Sequence, residues 1–527
     1  MARPSSRYDA VIVGGGHNGL VAAAYLARAG LSCVVLERRQ NVGGAAVSAR
    51  VFDGFDVRVS RYAYLVSLLP RRIADELALP VRFVRRTVSS YTPDPRRGGG
   101  RGLLVAPDDR EATRASFATV TSSDAEFGAW ERFYATVRQV AQRVFPTLLE
   151  PLRSRAHMRR LVADDAAWEA LFETPLAAVV RDALSDDLVR GVVLTDALIG
   201  TFAATDDPAL RQNRCFLYHA IGGGTGDWEV PVGGMGALTA ALHDAALAAG
   251  AEVCTGVEVI GVGDGEVRCQ SDGASESSLG ARWTLANVAP AELDRLRGRP
   301  QAQPTPDGSQ LKVNLLLSRL PRLRDAQVTP ERAFAGTFHV NETDVQLGAA
   351  YADADAGEIP ALVPCEAYCH TLSDPSILGP DLAAAGAQTM TIFAVHMPAR
   401  LFDRDAAATR EAAVRATLRS LDAVLAEPIA GCIMRTADGE PCIDVASPAD
   451  LQRELRMPRG NIFHGDLAWP FAEEPDDVGR WGVETDDPAI LVCGAGARRG
   501  GGVSGIPGRN AAMAVLAACP ARRAAPR

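Results

Sequence analysis

Residues 8–50 read YDAVIVGGGHNGLVAAAYLARAGLSCVVLERRQNVGGAAVSAR. Tyr8–Val13 is a short apolar run with β-branched residues, the pattern of a strand buried in a parallel sheet. Gly14, Gly15 and Gly16 follow directly, and Gly19 completes the spacing Gly14-x-Gly16-x-x-Gly19. Leu20–Ala29 is alanine-rich with a helical pattern, and Gly30 supplies its C-terminal stop. A second apolar run, Ser32–Leu36, ends in Glu37. Strand, glycine turn, helix, strand and terminal acid make up a whole dinucleotide-binding unit rather than an isolated glycine turn. Gly14 permits the tight turn, Gly16 lets the backbone approach a pyrophosphate, and Gly19 lets the helix pack on the strand. Free N–H groups and the positive end of the helix then face the phosphates. Glu37 accepts hydrogen bonds from ribose hydroxyls and repels a 2′-phosphate.

Part of this logic returns near the other end, in Asp487–Leu516 (DPAILVCGAGARRGGGVSGIPGRNAAMAVL). The strand Ile490–Cys493 feeds a turn containing Gly494, Gly496, Gly500, Gly501, Gly502, Gly505 and Gly508, and an alanine-rich helix follows. Backbone donors are thereby placed where negative charge can sit.

Composition bounds the rest. The 527 residues carry 55 Lys and Arg against 64 Asp and Glu, a net charge of −9. That balance argues against a nucleic-acid role, which needs concentrated basic residues. With 47% hydrophobic and 23% charged residues, the chain is globular rather than disordered. No run reaches the roughly 18 consecutive apolar residues of a membrane span, and no apolar signal core precedes the first strand. The expectation is a soluble, cytoplasmic protein, with peripheral membrane contact left open and the oligomeric state unknown. Ten scattered cysteines do not read as a disulfide framework. Cys365, Cys369 and His370 lack a second pair at metal-ligand spacing, and histidines 219, 339, 370, 396 and 464 make no H-E-x-x-H, so no metal is expected. A single lysine, Lys312, stands among the basic residues. Arg elsewhere reflects a GC-rich coding sequence.

After Glu37 come Arg38, Arg39, Gly43-Gly44 and Ser48. This resembles the second glycine motif of the flavoprotein group that includes amine oxidases and phytoene desaturases. VPVGGMGALTAAL (230–242), GNIFHGDL (460–467) and CGAGARRGGGVSGIPGRNAA (493–512) follow in the same order. Taken together, the sequence resembles the phytoene-desaturase-like family of FAD-dependent oxidoreductases, within the flavin amine oxidase superfamily. The resemblance implies noncovalent FAD. From the first segment it assigns contacts to Gly14, Gly16, His17, Asn18, Gly19, Glu37, Arg38, Arg39, Gly43, Gly44 and Ala45. The middle of the chain would supply Val257, as a backbone clasp on adenine, and Asn287. The last segment would supply Gly494, Gly502, Val503 and Asn510. Ala45 stands where many relatives have Arg, and Arg498-Arg499 replaces the usual residues ahead of the glycine run. Both departures are expected near the flavin.

The implied fold class is α/β, a Rossmann-like FAD-binding domain with a parallel sheet and βαβ unit, interleaved with an α+β substrate-binding domain. The FAD-binding domain would comprise 1–87, 221–310 and 456–527. The substrate-binding domain would comprise 88–220 and 311–455. Residues 88–220 are mostly helical by periodicity, for example Trp130–Val144, with Pro93–Gly102 as an exposed, mobile hairpin tip. Gly298–Ser309 reads as a linker, residues 408–426 as an amphipathic helix, and 521–527 as a disordered tail. Gly222–Gly226 forms a turn beside the substrate cavity rather than a second dinucleotide site. Lys312 begins the predicted strand Lys312–Leu317, either at a water-facing edge or, as in amine oxidases, beside the flavin N5. His219 and His464 are the other catalytic candidates, with a satisfied structural histidine as the favoured reading of each. Trp469, Phe471 and Trp481 either wall a pocket or fill the core.

The implied function is a dehydrogenase or desaturase taking hydride from a carbon of a bulky apolar or natural-product substrate to flavin N5. Oxygen or a quinone would reoxidise it. The alternatives are an amine or amino-acid oxidase, a flavin-dependent isomerase, and a non-catalytic prenyl or lipid carrier of the same fold.

Overall fold

The strand β1 (Arg7–Val13) runs in parallel register between β2 (Cys33–Glu37) and the strand Ser277–Ala286. Its apolar residues are buried on both faces, as a central parallel strand requires. Helix α1 spans His17–Arg28, starting ahead of the alanine run because extended Gly16 serves as its N-cap. No side chain caps that end. This computed structural model describes residues 6–271, 273 and 275–519, so the predicted tail at 521–527 lies outside the described residues.

Two seven-stranded sheets organise the chain. The first runs Val257–Gly263, Glu266–Ser271, Ser277–Ala286, β1, β2, Glu252–Thr255, and Ile490–Val492 also pairs in parallel with Ser277–Ala286. The helices Met235–Ala248 and Ile506–Ala518 pack on α1. The second sheet runs Ile443–Ala446, Leu311–Leu317, Gln388–Ala394, Cys365–Tyr368, Thr337–Val340, Ser90–Pro93, Gly102–Val105. It is antiparallel except where Thr337–Val340 meets Ser90–Pro93. Strands of the first sheet thus come from 7–37, 252–286 and 490–492, and those of the second from 90–105 and 311–446. A two-stranded ribbon, Phe83–Arg85 with Glu229–Pro231, lies apart from both.

Four readings are sharpened or changed. The stretch 88–220 is helical over most of its length, including Asp124–Val144, but it also contributes the two strands Ser90–Pro93 and Gly102–Val105. These short strands carry little periodicity and take their partner from far along the chain. The tip between them is tied rather than loose, since buried Asp94 caps Arg96 N–H and its own N–H donates to Arg101 O. Lys312 lies in the interior of the sheet, on a strand whose seven residues are all buried, not at a water-facing edge. Trp469 and Phe471 are buried against Trp168 and Phe172 and belong to the core. No helix among the described residues is long and apolar enough to cross a membrane.

Candidate functional site

A cavity of about 830 Å³ is lined by residues of both sheets, toward the upper end of the roughly 300–1,000 Å³ of small-molecule sites. Part of its wall is the glycine turn after β1. Gly14 has φ +99°, which a side chain resists, and Asn287 Nδ2 donates to Gly14 O (3.0 Å) and Gly16 O (3.3 Å), holding the turn. Glu37 is fixed through both oxygens, accepting from Gly15 N–H (2.7 Å) and Arg39 N–H (2.8 Å). Each oxygen keeps a lone pair for a further donor. Gly43 N–H donates to Gly15 O (2.8 Å), which sets the second glycine motif beside the first.

His17, Asn18, Arg38, Arg39, Gly44 and Ala45 also line the cavity, as do Val257, Gly502 and Val503. Two features of this wall fit a dinucleotide. The first turn of α1 offers N–H groups that no side chain caps. Beside them, buried His17 Nε2 and Asn18 Oδ1 have no hydrogen-bond partner, which is costly unless a ligand supplies one.

Gly19, Gly494 and Asn510, expected against the cofactor, and Arg498 and Arg499, expected near it, do not line the cavity. Gly19 faces Asn287 and Ile12, where an added Cβ would lie 2.9 Å from Asn287 Nδ2 and 3.2 Å from Ile12. Gly494 abuts Asn287 from the other side. Asn510 is fully buried and donates to Leu148 O (3.0 Å). These three hold the walls in place. Arg498 pairs with Glu473 (2.6 Å), and Arg499 donates to the carbonyls of Thr147 (3.1 Å), Glu150 and Trp481 (2.6 Å). The pair fastens the glycine turn to neighbouring segments.

All three catalytic candidates line the cavity. Lys312 Nζ donates to Ser60 O (2.5 Å) and Tyr62 O (2.7 Å) and lies 4.7 Å from the Tyr64 ring centroid. Burial holds its pKa well below the ordinary value. His219 Nδ1 donates to Cys215 O (2.8 Å), and its ring stacks on Trp228. His464 has φ +64° and a buried Nδ1 without a partner. Burial lowers His17, His219 and His464 to about 4, so each is neutral near pH 7.

This has a stability consequence. An unfolded chain takes up protons at these imidazoles near 6.5, whereas the folded protein resists until about 4. Stability present above pH 6.5 is therefore lost as pH falls toward 4, by of the order of 3 kcal/mol for His464. Melting temperatures measured across that window are expected to fall less steeply for His464→Gln than for wild type; equal slopes would refute the assignment.

Sequence reasoning missed a polar cluster in the same cavity. His339 and Glu366 sit opposite each other on adjacent antiparallel strands. His339 Nδ1 is 2.5 Å from Glu342 Oε2 and 3.7 Å from Glu366 Oε1. Tyr368 OH donates to Glu366 Oε2, and Arg86 lies 5.7 Å from the centre of the Tyr368 ring. Burial raises Asp196 to about 6, and Glu342 and Glu366 to about 8. The sequence signal was a His within one short apolar strand, TFHV, and a Glu within another, CEAY.

Residues 12–71 match the NAD(P)-binding Rossmann-like domain family. The chain is 52% identical to an uncharacterized protein of Mycobacterium tuberculosis, over 98% of this chain and 99% of that protein. It is 30% identical to pyridine nucleotide-disulfide oxidoreductase domain-containing protein 2 of Rattus norvegicus, over 97% of this chain and 93% of that one. Among solved structures, putrescine oxidase bound to putrescine shares the fold, with a TM-score of 0.57 at 18% identity, covering 98% of this chain and 100% of that one. Similarity across nearly the whole of both sequences, and so across the segments that build the cavity, places this chain in the family of pyridine nucleotide-disulfide oxidoreductase domain-containing protein 2.

Proposed function

We propose that the protein is an FAD-dependent oxidoreductase that removes a hydride from a carbon of a bulky, largely apolar substrate, in the manner of phytoene-desaturase-like enzymes. The observation carrying this reading is one continuous cavity. It joins the glycine turns and Glu37 to an aromatic and aliphatic chamber containing Trp130, Tyr134, Val137, Val192, Ile199 and Phe393. FAD, when bound, supplies the hydride acceptor. Oxygen or a quinone is the proposed terminal acceptor.

The protein's own contribution is position and electrostatics. The uncapped turn of α1 and the glycine backbone hold the phosphates, and Glu37 holds a ribose. The apolar chamber excludes water from the carbon that loses hydride. His219, neutral and fixed through Nδ1, keeps Nε2 as a proton acceptor. A second reading, oxidation of an amine or amino acid, is favoured by Asp196 in the chamber wall, which burial raises only to about 6 and which would attract a cation near pH 7.

The absorbance spectrum of the purified protein, with and without added FAD, is the first test. Flavin bands are expected, and a colourless protein that takes up no FAD sinks the proposal in favour of a non-catalytic carrier. Anaerobic bleaching against polyenes, lipids, cyclic intermediates and amines then separates the two readings, with peroxide measured when air is readmitted. Bleaching by amines alone would replace the first reading with the second.

A further inference from the structure

We propose that His339, Glu342 and Glu366 form a binding site for one divalent transition-metal ion, built on the second sheet and opening into the cavity. The proposal reverses the expectation from sequence spacing that no metal is held. The ligands were hidden because they come from two strands and a turn. His339 and Glu366 face each other across the ladder between Thr337–Val340 and Cys365–Tyr368. Asn341 then adopts φ +56°, and the chain turns so that Glu342 meets the His339 ring. One ligand atom from each of the three residues lies within 4.8 Å of the others.

Two observations favour an ion over a self-contained polar cluster. All three residues are buried, with exposures of 4%, 1% and 1%, whereas carboxylates gathered merely by chance stand in solvent. Glu342 Oε1 is buried without a hydrogen bond of normal length, and the Thr195 hydroxyl is the group that approaches this carboxylate. Native proteins leave few such atoms unsatisfied.

One imidazole and two carboxylates suit manganese, iron or zinc rather than copper(I) or calcium. Metal bonds of roughly 2.0–2.2 Å require His339 Nδ1 and Glu342 Oε2 to part from 2.5 Å to about 3.3 Å, a side-chain adjustment. Tyr368, donating to Glu366 Oε2, would orient that ligand while Oε1 faces His339. His339 and Glu366 both line the cavity, which gives the ion an entry path and leaves coordination positions open to an oxygen or nitrogen donor of a bound substrate.

Untagged full-length protein, stripped with chelator and titrated with Mn²⁺ or Zn²⁺, tests this by elemental analysis and thermal shift. Wild type is expected to retain about one equivalent and to melt higher with metal. Glu342→Gln and Glu366→Gln are expected to lose affinity by at least ~10-fold and to lose the thermal response. If wild type holds no stoichiometric metal, or if the variants bind as well as wild type, the proposal is overturned. Should the variants fail to fold, Co²⁺ absorption decides on wild type alone: visible ligand-field bands support the site, and their absence refutes it.

Discussion

Gly19→Ala protein is expected to emerge from purification without dinucleotide and with a lowered melting temperature. A Cβ at position 19 would lie 2.9 Å from Asn287 Nδ2, 3.2 Å from Ile12, and closer still to the Gly14 carbonyl. None of these can yield cheaply. Gly14 O and Asn287 are already joined by a hydrogen bond, and Ile12 is fully buried in β1. Helix α1 must instead move outward, at a cost of about 1–3 kcal/mol for overpacking. The same movement withdraws its uncapped N–H groups from the phosphates. If that cost is borne by the bound state, then at 1.4 kcal/mol per factor of ten a loss of about 5- to 140-fold in FAD affinity follows. Gly30→Ala is the control: φ is +82° there, but nothing lies within 4 Å of an added Cβ. That variant should lose some stability and keep its flavin. Flavin retained by Gly19→Ala and lost from Gly30→Ala would reverse the assignment.

The second large effect concerns Lys312→Met, which is expected to slow reoxidation of the reduced protein by oxygen one- to two-hundredfold, the scale for removing a preorganised charge. Two ammonium protons are committed to Ser60 O and Tyr62 O, leaving a third in a residue that lines the cavity. A cation held there lowers the cost of placing negative charge on an acceptor. Because burial pulls the Lys312 pKa well below 10.5, the charge is lost as pH rises through the lowered value. The wild-type rate should therefore fall with rising pH, while the Met variant stays flat. Stopped-flow reoxidation across pH provides the measurement, and an unchanged rate in the variant removes the role.

Much of this architecture was legible because it is local. β1, the glycine turn, α1 and β2 are adjacent in sequence, and their periods and turn residues are set by contacts within about forty positions. The uniqueness of Lys312 gave it an address, and its strand was read correctly. Its depth was not, since a strand shows its own period but not how many partners will flank it. The same limit hid His339 and Glu366, whose meeting depends on the register between strands far apart in the chain. For Gly494 and Asn510, the motif marked the right neighbourhood without distinguishing wall from lining, whereas Gly19 seats the helix on the strand as its place in the motif requires. Arg498 and Arg499 stand in the expected glycine turn, but the direction of their long side chains is set by Glu473 and by the carbonyls of Thr147 and Glu150, which the sequence does not place beside them.

The anchoring of Lys312 also bears on how the molecule moves. Its two carbonyl acceptors, Ser60 and Tyr62, flank Arg61, which pairs with Glu454 (3.0 Å) and Asp444 (3.5 Å) and accepts from Asn314 (3.2 Å) through its own carbonyl. The extended segment after the second glycine motif is thereby sewn to the lysine-bearing strand along consecutive residues. The same segment is tied toward α1 as well, since Met235 N–H donates to Ser60 Oγ and Gly236 N–H to Ser48 Oγ on a helix packed against α1, so a hinge-like opening between the two sheets would have to break one of these two sets of bonds. Admission of substrate and release of product should then depend on nanosecond side-chain rearrangement at the cavity mouth rather than on the microsecond-to-millisecond domain closure that limits many enzymes.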